Sequence, residues 1–304
     1  RKLKIPYKRA TTHSTHVPNN ADDLHALFIL KIALFHDTYN IPDELFINAD
    51  HAGVMLLNTK GYGRCEQGGE VASVSHASAE KRQFTLLPVV AASGDVPKWQ
   101  CIFEGATEAC LPPKHVRDKY PNLYFSYSNN HWANMNTTKQ FTYEMFDYYE
   151  AYVARVGEDP ETTTLRLGLL IDCWKVWKSS EYIDWVKVTF NDKIKIRFID
   201  ARMTGREQPL DVLLQAFIKN TITGACEDHM LTSVQEQLGY GIPPGGIRLD
   251  LSLAGLKEPY VSWLNLAHER LTARPDFVRK AFDMAKISSS AVRDPATVLE
   301  AHRA

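Results

Sequence analysis

The run LRLGLLIDCWKVW, residues 165–177, is the segment that most narrows what this chain can become, because a strongly apolar stretch ends abruptly on an acid. Leu165, Leu167, Leu169, Leu170 and Ile171 suit a buried strand, and Asp172 follows them directly. A buried, unpaired carboxylate is costly, so Asp172 needs a cation, a proton or an exit to solvent. Two readings follow: either Asp172 caps the strand as it leaves the core, or a metal sits there. The pattern repeats. ELFINAD, after Pro42, reads as a short buried strand ending on Asp50, and IKIRFID (194–200) as a strand ending on Asp200. QPLDVLLQAFIKNTI starts a helix with Pro209 in its first turn and Asp211 two residues later.

The segments between these landmarks set the fold class. Helical spacing of Leu24, Leu27, Phe28, Leu30, Ile32 and Leu34 predicts a helix, with Asn20 or Asp22 as its N-cap. VMLLN suggests a strand folding back beside ELFINAD, and RQFTLLPVVAAS and KWQCIFEG make two further strands joined by the turn GDVP. Residues 44–105 therefore read as an antiparallel meander. Residues 106–136, rich in Pro, Asn and Tyr, look like a loop or insertion. Helical spacing returns over 138–156, and a further helix is expected from about Ser179 to Phe190. The tail holds two or three helices, broken at GIPPGG and at Pro275. Three antiparallel strands followed by alternating helix and strand make an α/β fold: a mixed sheet with helices packed on it and a helical C-terminal tail.

Composition limits the function classes. The net charge of −1 gives no global positive field of the kind a simple DNA-coating protein needs, although RKLKIPYKR at the start is locally basic. Five cysteines without a CxxC pair argue against a disulfide framework or a zinc site and point to a reducing compartment. No apolar run approaches the roughly 18 residues of a membrane span. GYGRCEQGG lacks the arrangement of a phosphate-binding P-loop, and no GxSxG elbow marks a serine hydrolase. His51, Trp174 and Trp177 read as structural or packing groups, and Lys175 and Lys178 as exposed lysines.

Carboxylates converging from separate elements are what a divalent cation pair requires. Mg²⁺ takes oxygen ligands, keeps several waters and is commonly held by a few carboxylates plus substrate phosphates. Such a site suits phosphodiester cleavage. Three clustered carboxylates without a cation repel, so at least one is expected to hold its proton unusually strongly.

FINADHAGV, KRQFTLLPVVAASGD, LLIDCWKVWKSSEYIDWV and QPLDVLLQAFIK, in that order, resemble the DDE superfamily endonuclease domain of pogo-like, mariner-related transposases, relatives of jerky and centromere protein B. The resemblance covers roughly 40–225 and, more loosely, the tail around RPDFVRKAF. It implies an RNase H-like fold in three parts: a basic linker and helix over 1–40 following an upstream DNA-reading domain, the catalytic domain over 41–225, and a helical extension over 226–304. It implies a catalytic and metal-binding triad of Asp50, Asp172 and Asp211, with Mg²⁺ or Mn²⁺ as cofactor. Glu207, at the spacing from Asp172 that mariner relatives use, and Asp200, at its strand end, are rivals for the third ligand. Glu207 is otherwise expected to pair with Arg206 or face solvent. The implied activity is hydrolysis of DNA at transposon ends followed by strand transfer into target DNA, in the nucleus, by a protein that can form a homodimer. The alternative is a domesticated, catalytically inactive derivative that keeps the fold for DNA binding or assembly.

Overall fold

The computed structural model describes residues 18, 20–55, 83–289 and 292. The basic arm RKLKIPYKR and the glycine-rich GYGRCEQGG, with Cys65, lie outside the described residues.

Helix α1 (Ala21–Tyr39) forms as expected but buries Phe28, Ile29, Ile32 and Phe35; of the expected stripe only Phe28 and Ile32 are buried, and Leu27 and Leu34 face out. Its N-cap is Asn20, though without a side-chain capping bond, and it stops at Asn40, which turns left-handed at φ 51°. Strands β1 (Phe46–Ala49) and β2 (Ala52–Met55) come next, then β3 (Gln83–Leu87), β4 (Val89–Ala91) and β5 (Trp99–Glu104). β1 pairs antiparallel with β4 and β2 with β3, and the register Ala49↔Val89 runs on unbroken to Ala52↔Leu86. The two hydrogen-bonded sheets are thus halves of one bent ribbon. The bend falls at Asp50 and His51, opposite Pro88. Proline has no N–H to give the ladder, so pairing opens there. Only Asp50 N–H reaches across, to Pro88 O at 3.4 Å. RQFTLLPVVAAS, expected as one strand, is divided into β3 and β4 by this proline.

The segment 106–136 is more than the expected loop. After the short α2 (Lys114–Arg117) it contains β6 (Leu123–Ser128), which pairs in parallel with all six residues of β5. Helix α3 (Met135–Arg155) starts at a reciprocal cap in which Asn134 and Thr137 exchange bonds of 3.0 and 2.9 Å. β7 (Leu167–Ile171) is buried along its whole length and pairs in parallel with β1 on one side. Its own Gly168 lets α1 lie close, since a Cβ there would sit 3.0 Å from the Phe35 ring. Helix α4 (Ser180–Thr189) falls within the expected span and is capped by Ser179. β8 (Ile194–Phe198) closes the other side of β7, again in parallel, and forms the sheet edge. Order and direction are those of an RNase H-like sheet: three antiparallel strands, then two added in parallel beside the first.

After α5 (Thr204–Glu207), a π turn over Leu210–Leu214 leads into α6 (Gln215–Gly239), followed by α7 (Leu253–Thr272) and α8 (Pro275–Met284). These C-terminal helices supply core to the sheet. Tyr260 on α7 packs edge-on against Phe84 at 4.8 Å, and Phe282 on α8 meets Phe46 at 6.0 Å. At the β4–β5 turn Gly94 takes φ +102° and approaches so closely that a Cβ would lie 2.8 Å from Pro275. No described helix is long and apolar enough to cross a membrane.

Candidate active site

The site is built first by strand register. Ala49 and Ile171 are the last paired residues of β1 and β7, so Asp50 and Asp172 leave two adjacent parallel strands at the same end. Neighbouring strands lie about 4.8 Å apart. Asp50 is only 9% exposed, whereas Asp172 is half-buried, with its Oδ1 accepting the Cys173 N–H at 2.6 Å.

The third element is fixed by a residue that the sequence reading passed over. Asn48 is completely buried in β1, and both ends of its amide are used. Its Nδ2 donates to Leu170 O of β7 at 3.0 Å, and its Oδ1 accepts the Leu210 N–H at 3.0 Å. One side chain therefore ties two strands to the start of the helical segment bearing Asp211. There the backbone widens: the Gln215 N–H reaches back five residues to Leu210 O, a π bulge of the kind often found at functional sites. Gln215, one turn past Asp211, donates from Nε2 to Asp50 Oδ2, and Lys219, a turn further, donates to Gln215 Oε1 at 2.9 Å. The stripe Asp211, Gln215, Lys219 was legible in LDVLLQAFIK as polar residues at i, i+4 and i+8.

Asp50 feels the charges of Asp211 and Asp172, and Asp211 feels that of Asp172. Burial, then the charge of Asp211, and less strongly that of Asp172, raise Asp50 to about 7. The neighbouring Gln208 amide and the His51 N–H favour its charged form and are outweighed. The Gln208 side chain makes no regular hydrogen bond, so its influence is one of proximity. Asp211 is also raised, chiefly by burial even though its residue is exposed at the rim, with Asp172 adding to the shift. The Thr204 hydroxyl and Lys219 oppose it. His51 beside Asp50 stacks on Trp177 with ring centroids 4.6 Å apart, and burial lowers it to about 4. The imidazole is therefore neutral near pH 7 and adds no positive charge.

The rivals sit elsewhere in the charge pattern. Glu207 is completely buried, accepts the Asp200 N–H at 3.1 Å through Oε2, and has Oε1 3.9 Å from His25 Nδ1. The expectation that it pairs with Arg206 or faces solvent is overturned. Arg206 points the other way and meets Asp22 of α1 at 2.5 Å, because consecutive helical residues do not share a face. Asp200 is half-buried just past β8, and its backbone is what Glu207 binds. Neither is among the charges that raise Asp50.

Among the described residues, no three His, Cys, Asp or Glu side chains are arranged as a ready cage for a metal ion. The donor set fits a Mg²⁺-like ion of another habit, bound by one or two carboxylates, with waters and substrate phosphates completing the shell.

Fold and site together define a class: an RNase H-like α/β chain with carboxylates gathered where its two central parallel strands end. The chain is similar in structure to the catalytic domain of Mos1 mariner transposase, with a TM-score of 0.38 and 10% identity over 86% of this chain and 96% of that one. It is similar also to a pre-cleavage Mos1 transpososome (TM-score 0.41, 12% identity, 89% of this chain and 67% of that one). A Mos1 paired end complex with Mn gives a TM-score of 0.43 at 12% identity, over 88% and 67%. No protein-family profile and no curated protein matches the sequence.

Proposed function

We propose that the chain is the catalytic domain of a DDE transposase, of the pogo-like, mariner-related kind, that hydrolyses DNA at transposon ends and transfers the strand to target DNA. The observation that carries this reading is Asp50. It is a buried carboxyl pushed up to about 7 by burial and by two further aspartates that separate elements bring to it. A carboxylate cluster that holds a proton for want of a counter-charge is prepared for a cation. Asp50, Asp172 and Asp211 would hold Mg²⁺ or Mn²⁺, which supplies charge neutralisation at the phosphate and an activated oxygen.

The chain's own residues do the rest. Asn48 keeps the two strand ends and the helix start in one register, and Gln215 orients the Asp50 oxygen. Lys219 steadies Gln215 and favours the charged form of Asp211. Such preorganisation is a large part of phosphoryl-transfer catalysis. The reading makes transposon and target DNA the partners, allows a homodimer and puts the protein in the nucleus.

The test is nicking of supercoiled plasmid by the purified chain with Mg²⁺, Mn²⁺ or EDTA, beside Asp172→Asn. Metal-dependent nicking that the substitution abolishes is the expected result. Nicking that survives EDTA or Asp172→Asn sinks it, and a folded chain that never nicks favours the inactive derivative.

A further inference from the structure

A groove of about 360 Å³ separates α1 from β8, lined among others by Lys31, Leu34, Phe35, Tyr39, Lys195 and Arg197. Three of these are cations and no carboxylate lines the groove. Two of the three cations are set against aromatic rings. Lys195 Nζ lies 4.5 Å over the Tyr39 ring and pairs with Asp192 at 2.5 Å. Arg197 Cζ lies 6.0 Å from the Phe28 ring, and its buried Nε has no hydrogen-bond partner. Neither Arg197 nor Lys31 has an ion-pair partner among the described residues. Aromatic backing holds a cation in place without neutralising it. Two uncompensated charges in one groove therefore call for an anion from outside.

Position says which anion. β8 is the edge strand, and Ile171↔Phe198 brings its end level with that of β7. Arg197 is level with Leu170, two residues short of Asp172, or about 7 Å back along the sheet. Past β8 the half-buried Asp200 is followed by the exposed Arg202. β8 and the groove beside it thus run toward the end of the sheet where the aspartates gather, and there α1 meets the chain past β8 through Asp22 and Arg206.

We propose that the α1–β8 groove seats a DNA phosphate backbone and leads the strand toward the carboxylates, an inference that rests on the DNA-cleaving reading above. Lys31 and Arg197 make the phosphate contacts, Lys195 reinforces them, and the contact carries no sequence preference.

The experiment measures binding of the 304-residue chain to two duplexes of unrelated sequence by fluorescence anisotropy across a salt series in EDTA. Each lost phosphate contact lowers the slope of log K against log salt by about 0.9. The double variant Lys31→Gln/Arg197→Gln is expected to lower it by about 2 on both duplexes, and Lys31→Gln alone by about 1. Arg197→Lys keeps the charge and the slope, and Lys114→Gln, at a distant ion pair, changes nothing. Circular dichroism checks each fold. An unchanged slope in Lys31→Gln and the double variant overturns the proposal, as does a wild-type chain that binds neither duplex. Polyglutamate bound as tightly as DNA, with the same variant dependence, overturns it in favour of an acidic protein partner. If the slopes fall as expected while plasmid is never nicked, the groove stands and the cleavage reading fails. Metal-dependent nicking with unchanged slopes gives the reverse.

Discussion

Replacing Asp50 by asparagine should stabilise the metal-free protein at neutral pH, and the size of the gain can be worked out. In the unfolded chain this carboxyl titrates near 3.8, and in the fold near about 7. Between those values the folded state holds a proton that the unfolded state has released. Stability therefore falls as pH rises through the interval, by about 1.4 kcal/mol for each pH unit. The cost is absent below pH 4 and complete above pH 7, where it reaches about 4 kcal/mol. That figure is the interval from 3.8 to about 7 at about 1.4 kcal/mol per pH unit. Asparagine keeps the shape and an oxygen for the Gln215 amide but carries no charge. Urea denaturation in EDTA at pH 4, 5.5, 7 and 8 should show wild type and variant nearly equal at pH 4, and the variant ahead by a few kcal/mol at pH 8. Millimolar Mn²⁺ should then raise the midpoint of wild type at pH 8 by mass action and move the variant little. Parallel pH curves for the two proteins, or a variant less stable at pH 8, would refute the argument that Asp50 is held against its charge.

Further substitutions separate the remaining roles. Asn48→Ala leaves the Leu210 N–H and the Leu170 carbonyl without their side-chain partner, so stability should drop by about 2–4 kcal/mol in urea titrations. Asp211→Asn should abolish metal-dependent nicking while circular dichroism stays native. Glu207→Gln and Asp200→Asn should still nick, and a dead Glu207→Gln beside an active Asp211→Asn reverses the choice of third ligand. Gly94→Ala forces a side chain into φ +102° and against Pro275, and should lower the denaturation midpoint by the equivalent of about 1–3 kcal/mol or more.

What the sequence made legible was local or periodic. Apolar runs that end on aspartate announced β1 and β7, because burial pattern is written in neighbouring residues. β6 escaped because LYFSYS lies among Pro, Asn and Tyr, and its reason for being a strand is the parallel partner β5. Asn48 escaped for a related reason: a polar residue inside ELFINAD earns its place only through Leu170 and Leu210, both far away in sequence. Glu207 was misjudged because nothing in GREQ tells which way each side chain turns, and α1 decides it. The logic that singled out Asp172, a polar group where none is welcome, applies equally to Asn48.

The contact between Phe46 and Phe282 has a consequence for how the protein is made. The two rings are separated by roughly 240 residues, so at 5–20 residues per second the ribosome supplies the second some ten to fifty seconds after the first. Throughout that interval the apolar face of β1 lacks this part of its cover, and transiently exposed apolar surface of this kind favours aggregation. Chaperone demand should therefore peak late in synthesis. Expression truncated before Pro275 would yield a nascent sheet that carries its aspartates but lacks the helix that closes beneath them.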